Sequence, residues 1–444
     1  MTQTRLIPLL VLLLVACHPP TTVDPNPDAG SGQEPAPGTG PTFTVHVPDE
    51  LTSTLQLYRN VDVLLGDGSR FSKRLDGSGV VRFQDASLVG PQDVTLVMVN
   101  STGEVQVKTY LALDGAEVWL PSSLAYLSAI PWTKQGTLTG KVTGAANPGA
   151  LSVSAVGNGL YGLTTLAEDG SFSINIRGDA PGKVDLFARE TEGPDGKVLR
   201  VGLRRDIVVG DGATVSGLDF SLDHPVDQSL GVTVAGNPFQ GSDLSASLRY
   251  ILGGQLLFST SASGTLPLSV PAVARTAPFD TLTPMLRVSA GDAAKLPGGQ
   301  VQTEMPVGAT SSAAVTFLAP LSITSPAVGT LEAPASASRS GLVLRWSPDA
   351  SAQMTEVELA AKIGPGPLDW TVVAPASVTS FTPFPLPANI APVTTFPAGA
   401  YRVAATTTWR ANASGYASFF TGSQPSDPYV ETRTTRLRAY VELQ

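Results

Sequence analysis

Cysteine is nearly absent from this chain: of 444 residues, only Cys17 is one. No intramolecular disulfide can brace the fold, so stability must come from apolar cores, for which the length is ample. Histidine is almost as scarce, at positions 18, 46 and 224. No two histidines stand at metal-ligand spacing, which leaves a zinc site without its ligands. A Ser-His-Asp hydrolase lacks both a placed histidine and a Gly-x-Ser-x-Gly elbow. Basic charge is short as well, with 28 Lys+Arg against 37 Asp+Glu and a net charge of −9. An acidic chain without a polybasic run is a poor partner for nucleic acid. The longest amino-terminal apolar run covers residues 6–15 and is broken by Pro8. It is far short of the ~20 residues needed to span a bilayer. Long amphipathic helical periodicity is also missing beyond that segment.

What the amino terminus does have is order. Arg5 supplies a positive start, residues 6–15 an apolar core, and Leu14-Val15-Ala16-Cys17 a small residue before the lone cysteine. This series resembles the bacterial lipobox. The resemblance implies a signal peptide over 1–16, cleavage before Cys17, thioether lipidation of Cys17 and acylation of the new amino terminus. Several acyl chains on one residue meet the requirement that stable anchoring needs more than one. His18 in place of Asp after the cysteine resembles the outer-membrane sorting pattern. The expected location is therefore the cell envelope, lipid-anchored at the outer membrane. Loss of Arg5 with the signal takes the net charge to −10. Residues 17–41, rich in Pro and Gly and almost free of apolar side chains, cannot build a core and read as a disordered tether. Coil and polyproline limits bracket its reach at roughly 25 to 70 Å.

From residue 42 the texture is all-β. Phe43, Val45 and Val47 share one face of a period-two pattern, as do Val61, Val63 and Leu65. Leu138 and Val142, and Leu151 and Val153, continue it. Leu244, Ala246, Leu248 and Tyr250 alternate with Ser245, Ser247 and Arg249. Turn signals recur at near-constant offset: Asp76-Gly77-Ser78, Asp169-Gly170-Ser171 and Ser263-Gly264-Thr265. The pattern predicts a rod of tandem β-sandwich domains over 42–133, 134–223, 224–320 and 321–444, the first three transthyretin-like or immunoglobulin-like.

Two stretches resemble known families. Gly136 to Val142, Leu151 to Ala155, and Thr164 to Ile174 with its Asp-Gly-Ser-Phe hairpin, followed by Pro181-Gly182, resemble a carboxypeptidase regulatory-like domain. That resemblance implies a transthyretin-like β-sandwich over 136–222, without the catalytic domain of the carboxypeptidases. Residues 43–130 share the pattern more loosely, and 225–320 least. Farther on, Gly341-Leu-Val-Leu-Arg-Trp346-Ser-Pro348 resembles strand B of a fibronectin type III domain, and Phe396-Pro397-Ala-Gly399-Ala-Tyr401 resembles its tyrosine corner. Two long stretches, 381–397 and 412–428, depart from that pattern, and loops of this length are often functional or disordered.

The remaining chemistry is sparse. Asp76, Asp85, Asp169, Asp195 and Asp211 invite a calcium reading, but isolated Asp-Gly pairs also serve hairpins. Among aromatics, Trp346 is expected in a core. Trp119, Trp132, Trp370 and Trp409 remain open, and Tyr416, Phe419 and Phe420 are candidates for an exposed contact loop. No catalytic, cofactor or metal residue is assigned; Cys17 is the one site residue. The sequence points to a non-enzymatic envelope protein whose modules contact a protein or glycan. The alternative is a structural spacer or a secretion or assembly accessory.

Overall fold

A computed structural model describes residues 40–52, 58–121, 133–157, 159–167, 169–178, 180–193, 196–210, 212–235, 238–239, 244–291, 298–362, 364, 366–422, 427 and 429–444. Cys17, its signal, all but the last two residues of the tether, His18, Trp132, Asp195 and Asp211 lie outside the described residues. The described chain is all-β, with several sheets and four single-turn 3₁₀ segments. None of its helices is long and apolar enough to cross a membrane.

The first seven strands are β1 (Thr42–His46), β2 (Tyr58–Leu65), β3 (Phe71–Arg74), β4 (Val80–Gln84), β5 (Gln92–Asn100), β6 (Val105–Leu113) and β7 (Glu117–Trp119). The next seven are β8 (Lys134–Thr143), β9 (Leu151–Gly157), β10 (Leu160–Thr165), β11 (Ser171–Gly178), β12 (Gly182–Thr191), β13 (Val198–Val209) and β14 (Ala213–Val215). Two short strands follow, β15 (Phe220–Ser221) and β16 (His224–Pro225). A third set comprises β17 (Gln228–Ala235), β18 (Leu244–Leu252), β19 (Gln255–Gly264), β20 (Leu268–Ala272), β21 (Met285–Gly291), β22 (Gly298–Pro306) and β23 (Ser312–Thr316). The last set is β24 (Ser322–Ser325), β25 (Ala335–Ala337), β26 (Leu344–Ser347), β27 (Met354–Ala361), β28 (Leu368–Pro375), β29 (Ser380–Phe381), β30 (Gly399–Arg410) and β31 (Thr432–Leu443).

The first three sets repeat one topology. In each, the opening strand pairs antiparallel with the fourth and parallel with the seventh: β1 with β4 and β7, β8 with β11 and β14, β17 with β20 and β23. The other four strands run in the order third, second, fifth, sixth. The recurring turns lead into the fourth strand of each set. Asp76 Oδ1 accepts the Ser78 amide at 2.8 Å, and Asp169 Oδ1 accepts the Ser171 amide at 3.0 Å. Each carboxylate fixes its own hairpin by bonding two residues ahead. The glycine before each strand sits at positive φ (Gly79 at 69°, Gly170 at 82°), where a side chain would be strained.

The fourth set forms β24-β26-β29 against β28-β27-β30-β31. Its core holds Trp346, Trp370, Val357, Leu359 and Val403. The Tyr401 hydroxyl donates to the Pro397 carbonyl at 3.1 Å, a tyrosine corner at the start of β30.

The sets are not strung as the rod expected from the sequence. One continuous sheet runs β19-β18-β21-β22-β31-β30-β27-β28-β6-β5-β2-β3. The fourth set therefore sits between the third and the first. On one side β22 pairs antiparallel with β31 (Gln302 opposite Thr434). On the other, β28 pairs parallel with β6 (Trp370 opposite Val107). Main-chain pairing of unpaired edges outweighs chain order here, because an open edge offers a full row of donors and acceptors. A buried side-chain bond locks the second seam: Trp370 Nε1 donates to Thr109 Oγ1 at 3.0 Å, and Thr109 lies 3.0 Å from Thr95 Oγ1.

This seam places cores on both faces of the shared sheet. Val105, Val107, Val97 and Val99 join the fourth core, while Tyr110, Leu96 and Val63 face the first. That explains why Val61 through Leu65 are all buried and not alternating. The second set packs on the third through Phe187, whose ring stacks on Phe258 at 5.3 Å.

Candidate functional site

The 381–397 stretch is a compact cap on the end of the fourth set. Its own Leu386, Ile390, Ala391 and Phe396 are buried and tie it to the fourth core. Its backbone closes on itself, with the Leu386 amide donating to Thr394 O and the Ile390 amide to Pro387 O, both at 2.9 Å. Prolines fix its turns at low entropic cost. Between this cap and residues 338–342 lies a groove of about 480 Å³. Trp370 and Phe396 form its floor, and Phe384 stands edge-on to Trp370 at 5.0 Å. Arg339, Ser340, Thr382 and Thr395 supply the rim.

Arg339 is the one ionised side chain of the groove's lining, and none of the other lining side chains is a carboxylate, imidazole or thiol. Aromatic and proline faces offer apolar contact, and the rim offers hydroxyls and a guanidinium. Behind it, burial and then the nearby Asp369 charge push the Tyr401 phenol up, with Arg339 acting the other way. Tyr401 therefore stays neutral and structural at its corner.

The other sequence candidates are placed as follows. Tyr416, Phe419 and Phe420 do not form an exposed loop. They make a 3₁₀ turn, and Phe419 and Phe420 are buried in the core of the first set, where Phe420 meets Tyr110 edge-on at 5.7 Å. The Tyr416 hydroxyl donates to Val373 O at 3.1 Å. The physical reason is that the first core is left open beside the shared sheet, and these rings fill it.

Trp346 is buried in the fourth core, as its strand position implied. Trp119 stacks on His46 at 4.4 Å, and His46 Nε2 lies 2.6 Å from Glu117. Arg433 lies over the Trp409 ring at 4.5 Å. His224 joins the second and third sets through Asp223 Oδ1 at 2.6 Å and Ala277 O at 3.0 Å. Asp76 and Asp169 are held below the usual carboxylate range by serine hydroxyl and amide bonds. Asp85 is held there by Ser87 and by Arg70. Among the described residues, no group of three or more His, Cys, Asp or Glu side chains converges. Sequence reasoning passed over Arg339 and Phe384; the Pro-rich departure at 381–397 was the signal that marked the region.

No family model matches the chain, and no curated protein matches it. Among solved structures, it is similar to a protein from Parabacteroides distasonis provisionally described as a cell adhesion protein. Identity is 12%, the match covers 36% of this chain and 76% of that one, and the TM-score is 0.16.

Proposed function

We propose that this chain is a non-enzymatic, lipid-anchored protein of the cell envelope, held at the outer membrane through Cys17, that binds a protein or glycan partner with its fused β-sandwich modules. In this reading the second set is a carboxypeptidase regulatory-like module, and the first three sets are transthyretin-like or immunoglobulin-like sandwiches with one shared strand order. The fourth is fibronectin type III-like, which its two-sheet arrangement and the Tyr401 corner support. The observation that carries the binding role is the capped groove, whose lining is aromatic and hydroxylic and offers no acid–base pair. A plain spacer would have no use for such a groove.

The test has two parts. Cys17→Ser should move the protein from the membrane to the soluble fraction; full retention would remove the anchor. The soluble full chain should then co-sediment saturably with isolated envelopes, and Phe384→Ala with Arg339→Ser should weaken this. Equal sedimentation of the variant would exclude the groove as the contact.

A further inference from the structure

The seam between the third and fourth sets builds a second site that neither set has alone. On one face of the shared sheet, β31 presents Arg436 and Arg438. Two residues apart on one face, they stand about 7 Å from each other along the strand. Arg438 is opposite Gly298 of β22 and Ala404 of β30; Arg436 is opposite Gln300 and Thr406. Small residues on both sides of Arg438 leave a depression of about 440 Å³. Arg249 and Arg287 of the same face both bind Glu304, and Arg402 binds Glu358. Arg436 and Arg438 are exposed and have no ion pair or side-chain hydrogen bond among the described residues. The other charges of this face, Lys108 with Glu356 among them, are largely matched within it, so Arg436 and Arg438 are the two guanidiniums left without a partner among the described residues.

We infer that this seam binds an acidic polysaccharide, carboxylated or sulfated. The inference rests on the binding reading above and adds a ligand class and a place. The two unpaired guanidiniums, Arg436 and Arg438, call for an anion, and guanidinium forks match carboxylate and sulfate oxygens. The rest of the face requires a polar ligand. Gln300, Gln302, Thr406 and Thr434 offer amides and hydroxyls to sugar hydroxyls. Among the described residues, no exposed large apolar side chain falls on β21, β22, β30 or β31. A protein partner would seek an aromatic or aliphatic anchor at the centre of its contact, and a bilayer would need side chains to insert. Neither is present on these strands. The site also depends on the fused sheet, since Gly298 and Ala404 reach Arg438 from different sets.

The experiment is affinity electrophoresis of the soluble full chain through gels containing alginate, chondroitin sulfate or neutral dextran. Retardation by the two polyanions and not by dextran is expected, and it should weaken with salt. Arg436→Ser with Arg438→Ser should weaken binding at least about tenfold, the scale of one lost hydrogen bond to a charged group. Ala404→Gln, which fills the depression at constant charge, should do the same. Arg345→Ser, on the separate three-stranded sheet of the fourth set, should not. Unchanged thermal unfolding of the double variant, whose arginines support no partner, excludes misfolding. Equal retardation of wild type and double variant overturns the site, as does loss with Arg345→Ser. Saturable envelope binding without polyanion binding overturns this inference alone and leaves the binding role standing. Absence of both overturns both.

Discussion

Replacing Phe420 tests whether the first module owns its core. Phe420 belongs to the fourth set by sequence, yet its side chain is 3% exposed inside the first core, edge-on to Tyr110 and Tyr416. Phe420→Ala removes a buried ring, which costs about 3–5 kcal/mol where the surroundings cannot collapse. Collapse is restrained here, because Tyr110 lies in β6 and β6 is tied to β28 along the seam. The loss should fall on the first module, 300 residues away in sequence. Hydrogen exchange on the full chain reads this directly. Amides of β2, β5 and β6 should exchange about two to four decades faster, the same energy expressed as an opening constant. Amides of β17, β20 and β23 should hold. If protection drops only in β30 and β31 while β1 to β7 are unmoved, Phe420 is a local ornament and the shared-core argument fails.

Two further outcomes follow from the same geometry. Thr109→Val should cost about 1–3 kcal/mol, the price of leaving the buried Trp370 N–H without an acceptor, whereas Thr109→Ser should restore most of it; thermal melts of the three proteins decide. Asp349 links the third and fourth sets by accepting from the Ala319 amide and from Ser351. Burial pushes its carboxyl up, but those hydrogen bonds outweigh it and hold it below the usual carboxylate range. Its stabilisation is therefore full above the range in which a free carboxyl titrates and is lost as pH falls through its lower folded value. Asp349→Asn should flatten the stability–pH curve in that acid window and leave its shape near neutrality unchanged.

The strands were legible because burial on one face leaves a period of two. Leu244, Ala246, Leu248 and Tyr250 are buried, and Ser245, Ser247 and Arg249 are not. The Tyr401 corner was legible for a similar reason: a tyrosine at a strand start needs a nearby carbonyl. The rod was a misreading with a physical cause. Which edges pair is written in main-chain donors and acceptors that every residue shares, so neither β22–β31 nor β28–β6 leaves a side-chain signature. Phe419 and Phe420 in a long loop looked like a contact surface because sequence shows that apolar rings are off their own strands. It does not show which neighbouring core lacks them.

Edge logic also explains the arrangement of the four sets. The sixth strands of the three repeated sets are equivalent, and each ends covered in a different way. β6 is covered by β28, β22 by β31, and β13 by the short β16 of the connecting segment. The fourth set thus closes two edges that would otherwise invite another chain. The sheet still has two ends. At one, β3 is only four residues long and carries Lys73 and Arg74, and short charged edges resist pairing. At the other, β19 is ten residues long and carries no charge, the riskier kind of edge. It is there that the second set packs, with Phe187 stacked on Phe258 and Gly157 against the Gly253 turn. The one set left out of the shared sheet therefore shields the end that has least protection of its own.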